Sequence, residues 1–206
     1  MKWIAACTMM FLSFGACAGV DEDVRLLQRQ WEEIKYRRPA AEQEKAFEAL
    51  AKTADALRAK HATRAEPQIW YGIIAASYAG ARGGLGALGL AKDAKRALEA
   101  ALEIDPKALD GSAYTSLGSL YYQVPGWPIG FGDDDKAREM LQKALALNPN
   151  GIDANYFLGD FLYRKGDYQA ARRALDKALQ APSRPDRPLA DEGRRKEIEA
   201  LLAAMR

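Results

Sequence analysis

The sequence predicts an all-α protein, a short solenoid of helical hairpins with N-terminal helices before it and a capping helix after it. Three observations carry that expectation. Ala and Leu, the strongest helix formers, dominate the apolar residues, and β-branched residues are few. A four-then-three spacing occurs three times, at Ala94-Leu98-Ala101, Ala137-Leu141-Ala144 and Ala171-Leu175-Ala178. That spacing keeps all three residues on one face of a helix. Each triplet is preceded by a glycine in an apolar helical stretch, at Gly72, Gly118 and Gly159.

The chain begins with a targeting segment. Met1-Lys2 supplies a positive start, and Trp3 to Ala18 carries no charge. This run falls short of the roughly 20 residues a membrane span needs. Ala16-Cys17-Ala18 has the small-x-small pattern of signal-peptide cleavage, which puts a signal peptide at 1–18 and the mature start at Gly19. A second route is open, because Phe14-Gly15-Ala16-Cys17 resembles a bacterial lipobox, with Phe14 where that pattern prefers Leu. In that case Cys17 is acylated. Both routes imply export, to a periplasm, as a soluble or a lipid-anchored protein. Cys7 and Cys17 are the only cysteines, so neither route leaves a disulfide in the mature domain. An exported domain held by its core alone fits a bacterial envelope better than a small eukaryotic secreted scaffold.

Residues 21–38 and 41–61 read as two helices split by Pro39, with less regular apolar positions than the units that follow. The repeats occupy about 66–106, 111–149 and 152–185. The last is the most regular. Asn155, Leu158, Gly159 and Leu162 form one stripe, Gly166-Asp167-Tyr168 makes a turn and a helix start, and Pro182 closes the unit. The first two units end alike, in Ile104-Asp105-Pro106 and Leu147-Asn148-Pro149.

From the glycine to the first Ala of the second helix is 12 residues in the last unit, 19 in the middle one and 22 in the first. The surplus falls on Gly83 to Gly89 and on Pro125 to Gly132, which the pattern predicts as two loops lying side by side. Pro182, Pro185 and Pro188 form a stiff connector. The last helix, within 189–206, carries Ile198, Leu201, Leu202 and Met205 on one face and is expected to cover the end of the stack.

A helix–turn–helix period of about 34 residues, with these phrases, resembles the tetratricopeptide repeat over about residues 66–185. An interrupted repeat with a Gly- and aromatic-rich loop, then a regular repeat and a charged helix, resembles two narrower groups. One is the T-component of tripartite (TRAP-type) bacterial uptake systems. The other is the repeat region of eukaryotic regulators of microtubule dynamics. The tetratricopeptide resemblance implies a concave groove. Onto it fall Ser112, Thr115, Ser119, Tyr122, Gln123, Tyr156, Asp160, Tyr163 and Arg164. Such a surface combines rigid apolar area with polar handles, which suits a peptide or a small amphipathic ligand. A groove that is merely solvated is the plain alternative. In the loops, Leu88, Trp127 and Phe131 need cover, from each other or from a ligand.

The catalytic alternatives are thin. Gly84-Leu85-Gly86-Ala87-Leu88-Gly89 spells the dinucleotide fingerprint, but that motif needs a strand before it, and the repeat alignment makes 67–80 a helix. Asp133-Asp134-Asp135 offers carboxylates for a hard cation, yet it opens the helix carrying Ala137 and Leu141, where acids cap free N–H groups. His61 is the only histidine, so a His-based metal centre or a nucleophilic triad has little to draw on. No catalytic, cofactor or metal residue is therefore nominated. The net charge of +2, with signs interspersed, gives no footprint for nucleic acid.

The expected function is non-catalytic binding of a protein partner or peptide segment in the groove, as an adaptor of the bacterial envelope. The alternative follows the T-component resemblance. It is an accessory of a solute uptake system that meets a periplasmic solute-binding protein or encloses a hydrophobic ligand among Leu88, Tyr121, Trp127 and Phe131.

Overall fold

The structure is a computed structural model that describes residues 14–205. The segment expected to act as a targeting signal, 1–18, lies outside the described residues except for its last turn, and the expectation for Cys17 rests on sequence alone. Among the described residues there are nine helices and no strand. No described helix is long and apolar enough to cross a membrane. Helices α1 (Phe14–Arg37) and α2 (Ala40–Lys60) break at Pro39, which takes the position before α2 with extended backbone. Three hairpins follow: α3 (Ala65–Arg82) with α4 (Gly84–Ile104), α5 (Ala108–Gln123) with α6 (Asp134–Leu147), and α7 (Ile152–Arg164) with α8 (Tyr168–Leu179). Helix α9 (Pro188–Ala203) closes the chain.

The glycine–leucine register sets the spacing inside every hairpin. A Cβ on Gly72, Gly118 or Gly159 would stand 2.6, 2.7 or 2.6 Å from Cγ of Leu98, Leu141 or Leu175. Each leucine is fully buried, as are the alanines flanking it in its triplet. The missing side chain lets the second helix seat its leucine directly on the backbone of the first. Consecutive hairpins then stack through α3, α5 and α7, which lie side by side along one continuous core.

Two segments differ from the sequence-based expectation. The Gly83–Gly89 surplus is not a loop. Gly83 and Gly84 alone make the reversal, with φ of +64° and +60°, and α4 starts at once. Leu88 is therefore a helical residue, and the fingerprint Gly84 to Gly89 lies in a helix preceded by a helix. The physical reason is cover. Leu90 packs onto two core clusters, and the Leu88 side chain lies against the second loop, 3.3 Å from where a Gly130 Cβ would stand. That burial offsets the roughly 1 kcal/mol per residue that glycine costs in a helix. The second surplus is a true loop. It is closed on itself by Gly132 N–H donating to Pro125 O at 2.9 Å and Asp133 N–H donating to Tyr121 O at 2.9 Å. Only glycine fits at 132, where a Cβ would fall 1.9 Å from Val124 O. The two surplus segments do touch, as expected, though as helix against loop.

The entry to α5 carries a left-handed turn at Leu109, Asp110 and Gly111, with φ of 48°, 55° and 77°. From Pro106 to Gly118 is 12 residues, against 10 from Pro149 to Gly159. The turn takes up the two extra residues, and regular helix resumes at Ser112.

The acidic triplet does what the capping argument expects. Asp133 accepts from the N–H groups of Asp135 and Lys136. Asp167 caps α8 by accepting from Ala170 N–H.

Helix α9 buries Ile198 and Leu202 against Ile152, Leu175 and Ala178, so it covers the end of the stack. It also does more. Its other side reaches α1, where Ala190 N–H donates to Glu32 Oε2 at 3.1 Å and Tyr36 presses on Gly193. Lys35 and Glu197 pair at 3.4 Å across the same contact. First and last described helices thus meet across the concave side.

Candidate functional site

Closure of α9 onto α1 turns the concave face into a half-enclosed chamber of about 600 Å³. Helix α3 gives Trp70, Ile73 and Ser77; α5 gives Ser112, Thr115, Ser116, Ser119 and Gln123; and α7 gives Asp153, Tyr156, Phe157, Asp160 and Arg164. Seven of the nine groove residues expected from the sequence therefore come together: Ser112, Thr115, Ser119, Gln123, Tyr156, Asp160 and Arg164. Tyr122 and Tyr163 do not line it. Tyr122 stands behind the wall and donates to Asp160 Oδ2 at 2.7 Å, while Arg164 Nε donates to the same carboxylate at 3.2 Å. Burial, with the Asp160 charge beside it, pushes the Tyr122 phenol far up, so it stays a donor. Tyr163 meets Tyr168 at a tilt, with ring centroids 5.6 Å apart, and packs against the main core.

Leu88, Trp127 and Phe131 are also away from the chamber. Phe131 meets Tyr121 edge-on at 5.9 Å, and Lys95 and Lys136 lie over the Tyr121 ring. Trp127 is 90% exposed and covers nothing. Where a cavity was expected among Leu88, Tyr121, Trp127 and Phe131, the structure places an edge contact of Phe131 on Tyr121 with Trp127 projecting outward.

The sequence reading missed the other half of the chamber. Trp31, Lys35, Tyr36, Gln43 and Phe47 come from α1 and α2, and Arg184, Arg187, Ala190, Arg194 and Glu197 from the connector and α9. Here lies a dense ion network. Asp153 accepts from Arg184 Nη1 at 2.8 Å and from Arg194 Nε at 2.8 Å. Arg184 also pairs with Asp191 at 2.6 Å, and Arg194 with Glu197 at 2.6 Å. Burial works to raise the Asp153 carboxyl, but Arg194, Arg184 and Arg187 outweigh it and hold the group far below the usual carboxylate range. Arg194 also lies over the Tyr156 and Phe157 rings, at 4.2 and 4.9 Å. Burial lifts the Tyr156 phenol to about 12.

Among the described residues no group of three or more His, Cys, Asp or Glu is placed to hold a metal ion. His61 sits outside the chamber, with Nε2 2.8 Å from Asp23 Oδ2, where it ties the end of α2 to α1. The chamber's charged groups are bonded mainly to one another, and its walls alternate aromatic faces with serine hydroxyls.

Residues 130–188 match the family model of the tetratricopeptide repeat. No curated protein matches the sequence. Among solved structures, the chain is similar to a thermophilic TPR protein of Thermus thermophilus, at 17% identity over 92% of this chain and 93% of that one, with a TM-score of 0.59. It is also similar to MamA, at 20% identity over 82% of this chain and 94% of that one, with a TM-score of 0.46. For PilF of Pseudomonas aeruginosa the values are 16%, 91% and 90%, with a TM-score of 0.37. The likeness to the Thermus thermophilus protein, at this identity, concerns the fold alone. The narrower resemblance to T-components and microtubule regulators gains no support from these matches.

Proposed function

We propose that this tetratricopeptide-repeat chain is a non-catalytic binding protein of the bacterial envelope that holds a segment of a partner protein in the chamber under α9. The observation that carries the reading is the convergence of Ser112, Ser116, Ser119, Tyr156 and Phe157, from stacked hairpins, on one recess. Aromatic area gives such a surface affinity at low entropic cost, and the hydroxyls give direction. Export rests on the charge-free run after Met1-Lys2 and the small residues before Gly19.

A photocrosslinking residue at Ser116, in cells that export the chain, should yield a discrete protein adduct, and the same residue at exposed Glu103 should not. Identical adducts from both positions would sink the reading.

A second reading is favoured by the chamber's shape. A half-enclosed space of about 600 Å³ lies within the range of small-molecule sites rather than open peptide troughs. Here the protein retains a compact ligand and serves a solute uptake system, alone or with a periplasmic solute-binding protein. Native mass spectrometry of the exported chain should then show a bound small molecule. A bare polypeptide mass, with no affinity for a solute-binding protein, would remove it.

A further inference from the structure

We infer that the ligand of the chamber is electrically neutral and rich in hydroxyl groups, a sugar or a polyol, held by the α5 hydroxyls on one side and by Asp160 and Arg164 on the other. The inference rests on the second reading, in which the chamber retains a compact ligand, and adds what that ligand is.

Charge decides the first part. Every cation that lines the chamber is matched. Arg184 and Arg194 share Asp153 and pair besides with Asp191 and Glu197. Arg164 has Asp160, and Lys35 has Glu197. Arg187 lies in the field of Glu32, which has no cation of its own. Five cations thus meet five carboxylates, and no charge is left over to neutralise one brought by a ligand. An ion entering this recess would lose water without gaining a partner, which is costly.

Hydrogen-bonding capacity decides the second part. Thr115 is only 7% exposed, and it lines the chamber. Its hydroxyl has no protein partner among the described residues and remains accessible, so it opens into the chamber. The Ser116 hydroxyl, next to it on the same wall, is also without a partner. Ser112 and Ser119 donate to Leu109 O and Ser116 O, which leaves their oxygens free to accept.

The facing groups come from α7. Counted from Gly118 and Gly159, Ser116 stands level with Phe157, Ser119 with Asp160 and Gln123 with Arg164. The bond from Tyr122 to Asp160 holds the two helices in that register. Asp160 accepts from Tyr122 and from Arg164 Nε and has lone pairs to spare. The terminal nitrogens of Arg164 have no acceptor in the described protein.

This lining mixes acceptors, donors and hydroxyls that do both, with no net charge. A carboxylate only accepts and an ammonium only donates, so each leaves part of the lining unmatched. A ligand hydroxyl does both. Ile73 and Phe157, half-buried on the same walls, suit the apolar C–H face of a ring.

The test is isothermal titration calorimetry of the exported chain with glucose, sucrose, myo-inositol and sorbitol. Glucuronate and glucosamine serve as charged counterparts. Thermal shift is unsuitable, because concentrated sugars stabilise any fold by exclusion from its surface. At least one neutral probe should bind saturably, and more tightly than either charged one. Binding of sorbitol alone assigns an open-chain polyol, and binding of the cyclic probes a ring. Thr115→Val keeps the outline of the side chain without its hydroxyl and should weaken binding about 3- to 10-fold, the worth of one hydrogen bond. Ser116→Ala, at a more open position, should act in the same direction and decides the matter if Thr115→Val does not fold. No heat from any neutral probe, a charged probe binding as tightly as its neutral counterpart, or unchanged affinity in both variants overturns the inference. A native mass spectrum showing a charged or wholly apolar molecule retained would also overturn it, while leaving the chamber a ligand site.

Discussion

The Cα of Gly118 lies so close to Leu141 that a Cβ there would stand 2.7 Å from Leu141 Cγ and 3.3 Å from its backbone N. The pair fixes how near α5 and α6 approach, and the same relation recurs at Gly72–Leu98 and Gly159–Leu175. Gly118→Ala should therefore destabilise the protein by about 1–3 kcal/mol through overpacking, against its better helix propensity. Gly89→Ala is the control. It is also helical, but nothing lies within 4 Å of its Cβ position, so the change should stabilise by about 0.5–1 kcal/mol. Urea midpoints of the two variants shifting in the same direction would refute the glycine–leucine register.

The Asp153 network predicts a dependence on acid. Its carboxyl is depressed in the folded state, so its stabilising effect is present above the ordinary carboxylate range and is lost as pH falls through and below about 4. Glu32 works in the opposite sense, since burial raises its carboxyl, but its shift is tempered by Arg187 and the Ala190 N–H. Asp153→Asn should lower the melting midpoint at pH 7 and flatten its fall between about pH 5 and 2. A variant whose midpoint tracks the wild type's across that window would show that the network contributes nothing.

The loop after α5 separates a packed residue from a projecting one. Phe131→Ser removes the edge contact with Tyr121 and should lower the melting midpoint. Trp127→Ser alters a side chain that is 90% exposed and should move stability by no more than about 0.5 kcal/mol. Comparable losses in both would mean that Trp127 is covered.

The repeats were legible because helix periodicity, the glycine positions and the terminal prolines all say the same thing locally. Seven groove residues followed from that register, since a repeat places its first-helix positions without any knowledge of the rest of the chain. The other wall was not legible. Trp31, Arg187 and Arg194 are separated from α5 and α7 in sequence, and only the return of α9 to α1 brings them together. Reading Leu88 as a loop residue failed because four glycines in seven positions look like a linker. Two of them suffice for the turn, and the rest are carried by a helix with something to bury.

The closure itself has a direct probe in the Ala190 amide. It belongs to the first turn of α9, where N–H groups have no acceptor within the helix, and its hydrogen bond goes to Glu32, 158 residues away. Amide hydrogen exchange read by NMR should find Ala190 protected in the wild type and rapidly exchanging in Glu32→Ala, with the amides of α5 unchanged. Fast exchange at Ala190 in the wild type would mean that α9 does not close on α1, and the chamber would be an open groove.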